Sequence, residues 1–174
     1  MTLRTVSLPQ SRARGTLALR CVRTDACSLR FIPIGCERDG DLRELFAGAV
    51  TIRVDHFRRG SWLDDLARQV AFDHCGCAVR HVSLFLSPRG GSTPPHYDAN
   101  DVLVLQLRGL KKLRVSHAPY DPEPAEDTLV DSLRPHPILQ FELRRGDAVI
   151  IPRGYAHETW STMASITVGI GLQS

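Results

Sequence analysis

Short apolar or alternating segments recur along the chain at residues 17–21, 29–34, 50–54 and 82–86, then at 102–107, 113–115, 138–143, 148–151 and 165–170. Each has strand length, and Gly and Pro signals separate one from the next. Many short strands of this kind predict a mostly-β sandwich or barrel. One segment has helical periodicity instead. Ser61 stands at its start as a cap, Asp64 follows three residues on, and Leu63, Leu66, Ala67 and Val70 share a face, which predicts a helix packed outside the barrel. A second, shorter helix is expected at 41–46, with little to distinguish it from a turn. Residues 1–15 are polar, with Pro9 and scattered arginines, and are expected to form a loosely held lead-in to one domain spanning 16–174. Residues 116–137 hold Pro119, Pro122, Pro124, Pro135 and Pro137 among Asp121, Glu123, Glu126 and Asp127, the composition of a long loop. Loops of that length in compact domains often act as substrate lids.

At 174 residues and 43% hydrophobic, the chain can bury one substantial core. No apolar run reaches the roughly 18 to 20 residues of a membrane span, and the N-terminus has no secretory-type apolar stretch. A soluble, cytoplasmic protein without a membrane partner is the expectation. The formal charge of +3 is small and dispersed among acidic residues, so the sequence carries no electrostatic footprint for nucleic acid. Nothing in the pattern indicates an oligomer. Five cysteines, an odd number, predict reduced thiols rather than a disulfide framework. His74-Cys75-Gly76-Cys77 has some zinc character, but structural zinc sites space their cysteine pairs more widely and add a second pair, so a turn after the helix is expected there. Of the 22 basic side chains only Lys111 and Lys112 are lysines, which makes that pair conspicuous.

The chemically informative stretch is Ser92-Thr93-Pro94-Pro95-His96-Tyr97-Asp98, followed shortly by the apolar run Val102-Leu103-Val104-Leu105. The paired prolines favour extended backbone, and in extended backbone positions two apart share a face. An imidazole nitrogen of His96 and a carboxylate oxygen of Asp98 can therefore meet at one point. His157 lies 59 residues after Asp98, just beyond Gly146-Asp147 and the segment 148–151, where a barrel can return it to the first pair. Two imidazoles and one carboxylate leave three coordination positions open, as in non-haem iron(II) oxygenases. 2-Oxoglutarate would fill two of them and dioxygen the third. A His-x-Asp pair alone is a weak signal; its co-occurrence with the Gly-Asp turn and the later histidine strengthens it.

These residues resemble the Jumonji-C type cupin oxygenases, among them an asparaginyl hydroxylase and the ribosomal oxygenases. The likeness is carried by Thr93-Pro-Pro-His96-Tyr-Asp98, by Leu105-Gln106-Leu-Arg-Gly109-Leu-Lys111, and by Gly146-Asp147 through Ile151-Pro152-Arg153-Gly154 to His157 and Ser165. It spans roughly residues 82–170. The resemblance implies a double-stranded β-helix, the cupin or jelly-roll barrel, with one or two flanking helices. It implies iron(II) held by His96, Asp98 and His157 as catalytic and metal-binding residues, with 2-oxoglutarate as cosubstrate. Lys111, fifteen residues after His96, matches the lysine that binds the distal carboxylate of 2-oxoglutarate. Thr93 matches a threonine that hydrogen-bonds the same carboxylate, and Ser165 is a further candidate from the last strands. One departure stands out: Gly169 occupies a position where the asparaginyl hydroxylase carries an asparagine near the cosubstrate.

The implied reaction is hydroxylation of a carbon of a peptide or protein side chain, or of a free amino acid, coupled to decarboxylation of 2-oxoglutarate to succinate. Two other readings stand beside it. A metal-only cupin dioxygenase or isomerase usually adds a third histidine and needs no lysine anchor. A non-enzymatic cupin that binds a small ligand would gain nothing from an intact ligand triad.

Overall fold

The computed structural model describes residues 5–7, 32–33, 51–55, 57, 59–119, 128–133 and 138–173. The strand expected at 17–21 and the helix expected at 41–46 lie outside these residues, as do 120–127 and 134–137 of the long proline-rich segment.

Twelve strands among the described residues form two antiparallel sheets. In chain order they are β1 (Thr5–Ser7), β2 (Ile32–Pro33), β3 (Ile52–Val54), β4 (Ala78–Ser87), β5 (Ser92–Tyr97), β6 (Val102–Arg108), β7 (Leu110–Ser116), β8 (Thr128–Leu129), β9 (Ile138–Arg144), β10 (Asp147–Ile151), β11 (His157–Ser161) and β12 (Ser165–Gln173). The larger sheet runs β1-β10-β6-β12-β4-β3-β2 and the smaller β8-β5-β11-β7-β9. Consecutive strands alternate between the sheets at β4 to β5, β6 to β7 and β11 to β12, the connectivity of a jelly roll. The mostly-β barrel expected from the segment pattern is the observed architecture.

The single helix of the described residues, α1 (Trp62–Cys75), begins where the sequence places it. Ser61 caps it by accepting from the Asp64 backbone N–H at 3.3 Å, and Asp64 reaches back to the Gly60 N–H at 3.1 Å. Asp64 also accepts from Arg68 Nε at 3.0 Å, and that guanidinium holds the carboxyl below its ordinary range. Gly76 ends the helix in the left-handed conformation, its N–H donating to the Phe72 carbonyl. Cys75 and Cys77 flank this cap as free thiols and belong to no metal-ligand cluster among the described residues.

Buried apolar side chains lie on both faces of the larger sheet. Leu63, Ala67, Val70 and Ala71 of α1 pack on its outer face against Val82, Leu84, Leu103, Leu105, Val168 and Ile170. Its inner face meets the smaller sheet through Val102, Val104, Val149 and Ile151 against Leu113, Val115 and Leu143. Because β6 is covered on both sides, it reads as a continuous apolar run rather than an alternating one. No helix of the described residues is long and apolar enough to cross a membrane.

Three local features differ from the sequence expectation. Thr5–Ser7, inside the expected loose lead-in, pairs with Asp147–Val149 as an edge strand. Thr128–Leu129, within the expected loop, adds a short strand beside Ser92–Tyr97, whose extended backbone its prolines favour. His157, expected just beyond the segment 148–151, opens a strand of its own, β11 of the smaller sheet, whereas 148–151 belongs to the larger. A turn at 152–156 separates the two, and the mixed sequence His-Glu-Thr-Trp-Ser conceals the strand that follows.

Candidate metal centre and its cavity

His96 near the end of β5 is the cross-strand partner of His157 at the start of β11, so strand register alone sets the two imidazoles side by side. Their ring centroids are 4.2 Å apart, and Asp98, just past β5, brings its carboxylate Oδ2 to 3.5 Å from His157 Nε2. One ligand atom from each of His96, Asp98 and His157 falls within a 4.8 Å group. The sequence spacing therefore did bring these three residues together.

Backbone carbonyls set the tautomer of both rings. His96 Nδ1 lies 2.8 Å from the Pro94 carbonyl and His157 Nδ1 3.1 Å from that of Tyr155. A carbonyl can only accept, so each Nδ1 carries a proton and Nε2 is the nitrogen turned to the site. This is the outer-shell arrangement of metal-ligating histidines. Burial, reinforced by the neighbouring His96, holds His157 neutral by depressing its pKa to about 3. The surrounding loops are tied together: Gly154 N–H donates to the Asp98 carbonyl at 3.0 Å, and Arg153 N–H to Asp101 Oδ1 at 2.8 Å.

The triad opens into a cavity of about 200 Å³ between the sheets, with Lys111 in its wall. Lys111 is only 2% exposed, the largest fully buried side chain of the described residues. Its ammonium donates to Ser87 Oγ at 3.1 Å and lies 5.6 Å from the centre of the Phe85 ring. Among the described residues no carboxylate is within ion-pair distance of it. Desolvation pushes its pKa down to about 8, so at neutral pH a buried cation faces the cavity with no counterion among the described residues. The tight turn at Gly109 delivers β7 to this place. Gly109 has φ of 75°, and a Cβ there would stand 2.1 Å from the Ala164 carbonyl oxygen.

Thr93 also lines the cavity and shares a short hydroxyl–hydroxyl contact with Thr159 of β11. Ser165 does not line it: its hydroxyl meets Ser161 Oγ at 2.8 Å in a buried pair beside the cavity. From β12 the wall receives Thr167 and Gly169 instead. The sequence reading also missed Arg53, His81, Ser83 and Phe85 in the wall. The three β4 residues are spaced two apart and alternate with Val82, Leu84 and Leu86, so strand alternation was the available signal.

Comparison with known proteins agrees with this geometry. Residues 61–174 match the family model of the JmjC domain. The bifunctional lysine-specific demethylase and histidyl-hydroxylase NO66 of Caenorhabditis elegans is 33% identical over 120 residues, covering 60% of this chain and 15% of that protein. An X-ray structure of Escherichia coli ycfD superposes with a TM-score of 0.55 at 21% identity, over 72% of this chain and 34% of that one. A structure of YcfD, a ribosomal oxygenase from Escherichia coli, in complex with cobalt and 2-oxoglutarate gives a TM-score of 0.50 at 20% identity, over 72% of this chain and 32% of that one. The chain thus spans well under half the length of these relatives. With the family model covering everything from the cap of α1 to the last strand, the chain belongs to the JmjC domain family.

Proposed function

We propose that this chain is an iron(II) and 2-oxoglutarate dependent oxygenase that hydroxylates a carbon of a peptide or protein side chain, or of a free amino acid. The observation that carries this reading is Lys111, a buried cation with no carboxylate partner among the described residues, which faces the same cavity as a two-histidine, one-carboxylate triad. Burying such a charge is costly unless an anion completes it, and the distal carboxylate of 2-oxoglutarate is an anion of fitting kind. Family membership and the cobalt and 2-oxoglutarate bound by a structural relative support the same pair of cofactors.

In this reading His96 Nε2, His157 Nε2 and the Asp98 carboxylate would hold the metal, while Lys111, steadied by Ser87, and Thr93 would receive the far end of the cosubstrate. Bound there, iron(II) would activate dioxygen and 2-oxoglutarate would supply two of the four electrons that reduce it, so that one oxygen atom enters a substrate carbon–hydrogen bond and the other the succinate left after carbon dioxide departs. The protein's part is placement and exclusion. The carbonyls of Pro94 and Tyr155 fix both imidazole rings. Lys111 stays protonated at neutral pH, and an incoming carboxylate raises its lowered pKa back toward the ordinary lysine value. Phe85, Val102 and Val104 line the cavity with apolar surface that limits water beside the reacting carbon. Free thiols at Cys75 and Cys77 fit a reducing compartment, and we place the protein in the cytoplasm.

The test is anaerobic titration of the iron(II)-loaded protein with 2-oxoglutarate, following the weak visible charge-transfer band of the chelate. The band is expected in the wild type, and Lys111→Ala should need at least tenfold more 2-oxoglutarate to develop it. Iron binding without any band would overturn the proposal.

A further inference from the structure

Lys111 is not the cavity's only cation. Arg53 of β3 also lines it, and the two flank one ring: the Arg53 guanidinium carbon lies 5.8 Å and Lys111 Nζ 5.6 Å from the centre of Phe85. Arg53 Nε donates to Asp55 Oδ1 at 3.0 Å, and the same oxygen accepts a short bond from Ser83 Oγ. Asp55 therefore sits behind the guanidinium with that oxygen already taken, and it does not line the cavity. Among the described residues the terminal nitrogens of Arg53 have no partner. His81, two residues before Ser83, extends this row of donors. Its ring lies directly over Gly171, where a Cβ would stand 2.2 Å from the ring carbon Cε1. The absence of side chains at Gly169 and Gly171 makes room for the Phe85 and His81 rings, which pack over these two glycines.

We infer that Arg53, fixed by Asp55 and Ser83, is the substrate-positioning residue and that the substrate presents a carboxylate to it. This assignment rests on the oxygenase reading of the cavity, in which Lys111 is already neutralised by the cosubstrate. A guanidinium offers parallel N–H donors that match a carboxylate edge to edge. A carboxamide would satisfy one donor with its carbonyl and turn its own N–H groups toward a fork that cannot accept them. A basic side chain would meet the guanidinium before it met Asp55. At about 200 Å³ the cavity is smaller than the 300 Å³ or more typical of drug-sized ligands, so the acid that enters beside the cosubstrate is small. An aspartate or glutamate side chain, or the carboxylate of a free amino acid or chain end, fits this description.

Matched probes decide the matter: N-acetylaspartate amide with N-acetylasparagine amide, N-acetylglutamate amide with N-acetylglutamine amide, and N-acetylglycine with its amide. Each is titrated anaerobically into protein loaded with iron(II) and 2-oxoglutarate, reading both the charge-transfer band and the thermal midpoint. At least one acid should bind, tenfold or more tightly than its amide twin. Arg53→Met should remove that preference, Arg53→Lys should restore part of it, and the 2-oxoglutarate titration should stay within twofold of wild type in both. Arg53→Met with Asp55→Asn serves as the second variant, since it leaves no unpaired carboxylate to disturb folding. Equal binding of acid and amide, no binding of any acid, or loss of 2-oxoglutarate together with the probe in Arg53→Met would each overturn the assignment. Absence of the 2-oxoglutarate band in the wild type would instead strike the oxygenase reading itself.

Discussion

A single buried lysine sets the balance between stability and function in this cavity. Its pKa of about 8 in the fold lies below the ordinary lysine value of 10.5, because burial penalises the charged form. The sign follows from proton counts. Between pH 8 and 10.5 the unfolded chain binds more protons at this site than the fold does, so stability rises with pH across that window. Below pH 8 the whole penalty remains, on the order of 3 kcal/mol. Lys111→Met should therefore raise the thermal midpoint of the cofactor-free protein at pH 7, with the gap to wild type narrowing from pH 8 to 10. Adding 2-oxoglutarate and a redox-inert divalent metal should reverse the order, because only wild type has a cation for the distal carboxylate. A destabilised Lys111→Met protein would mean that the ammonium is already compensated. The sequence marked Lys111 by its rarity among arginines and by family spacing, and marked His96 and Asp98 by the two-residue period of extended backbone. Arg53 carried no such mark. It sits on a three-residue strand far from the motif, and only the pairing of β3 with β4 brings it to the cavity.

Elements divide by the face they serve. Helix α1 packs on the outer face of the larger sheet, opposite the cavity, so loss of its cap should cost stability alone. Ser61→Ala is expected to lower unfolding free energy by about 1 kcal/mol in denaturant titration, with metal and 2-oxoglutarate affinities unchanged. Gly109→Ala makes the contrast. It places a side chain at positive φ and against the Ala164 carbonyl, in the turn that feeds β7 and Lys111. A loss of at least about 2 kcal/mol is expected, and here 2-oxoglutarate affinity should fall as well. Equal effects of the two substitutions on affinity would contradict this division. Helix α1 was legible because cap, acidic partner and apolar face agree over fourteen residues. β8 and β11 were not, one being two residues inside a proline-rich stretch and the other mixing buried His157 and Thr159 with polar neighbours.

At the scale of the molecule, the two sheets and the helix of the described residues hold two apolar clusters and a cavity of mixed polar and apolar lining, and alternation within the same strands serves both purposes. On β4, Val82 and Leu84 face α1 while His81, Ser83 and Phe85 face the cavity. Sequence pattern gave the number and type of most strands, yet strand order depends on pairings between distant segments such as β1 with β10, which no local period encodes. That order has a functional consequence. The triad draws on β5 and β11 and the lysine on β7, three neighbours in one sheet facing a shared cavity. A cosubstrate that touches both lysine and metal links them energetically, and such coupling is reciprocal. Stabilisation by 2-oxoglutarate should therefore be larger with metal than without, and stabilisation by metal larger with 2-oxoglutarate. Four thermal melts close this cycle, with manganese(II) replacing iron to prevent turnover. Succinate, which keeps the distal carboxylate but lacks the 2-oxo chelate, should stabilise through Lys111 yet show weaker coupling to the metal. Strictly additive shifts for 2-oxoglutarate and manganese would mean that the two bind apart, and the shared cavity would lose its role as the reaction chamber.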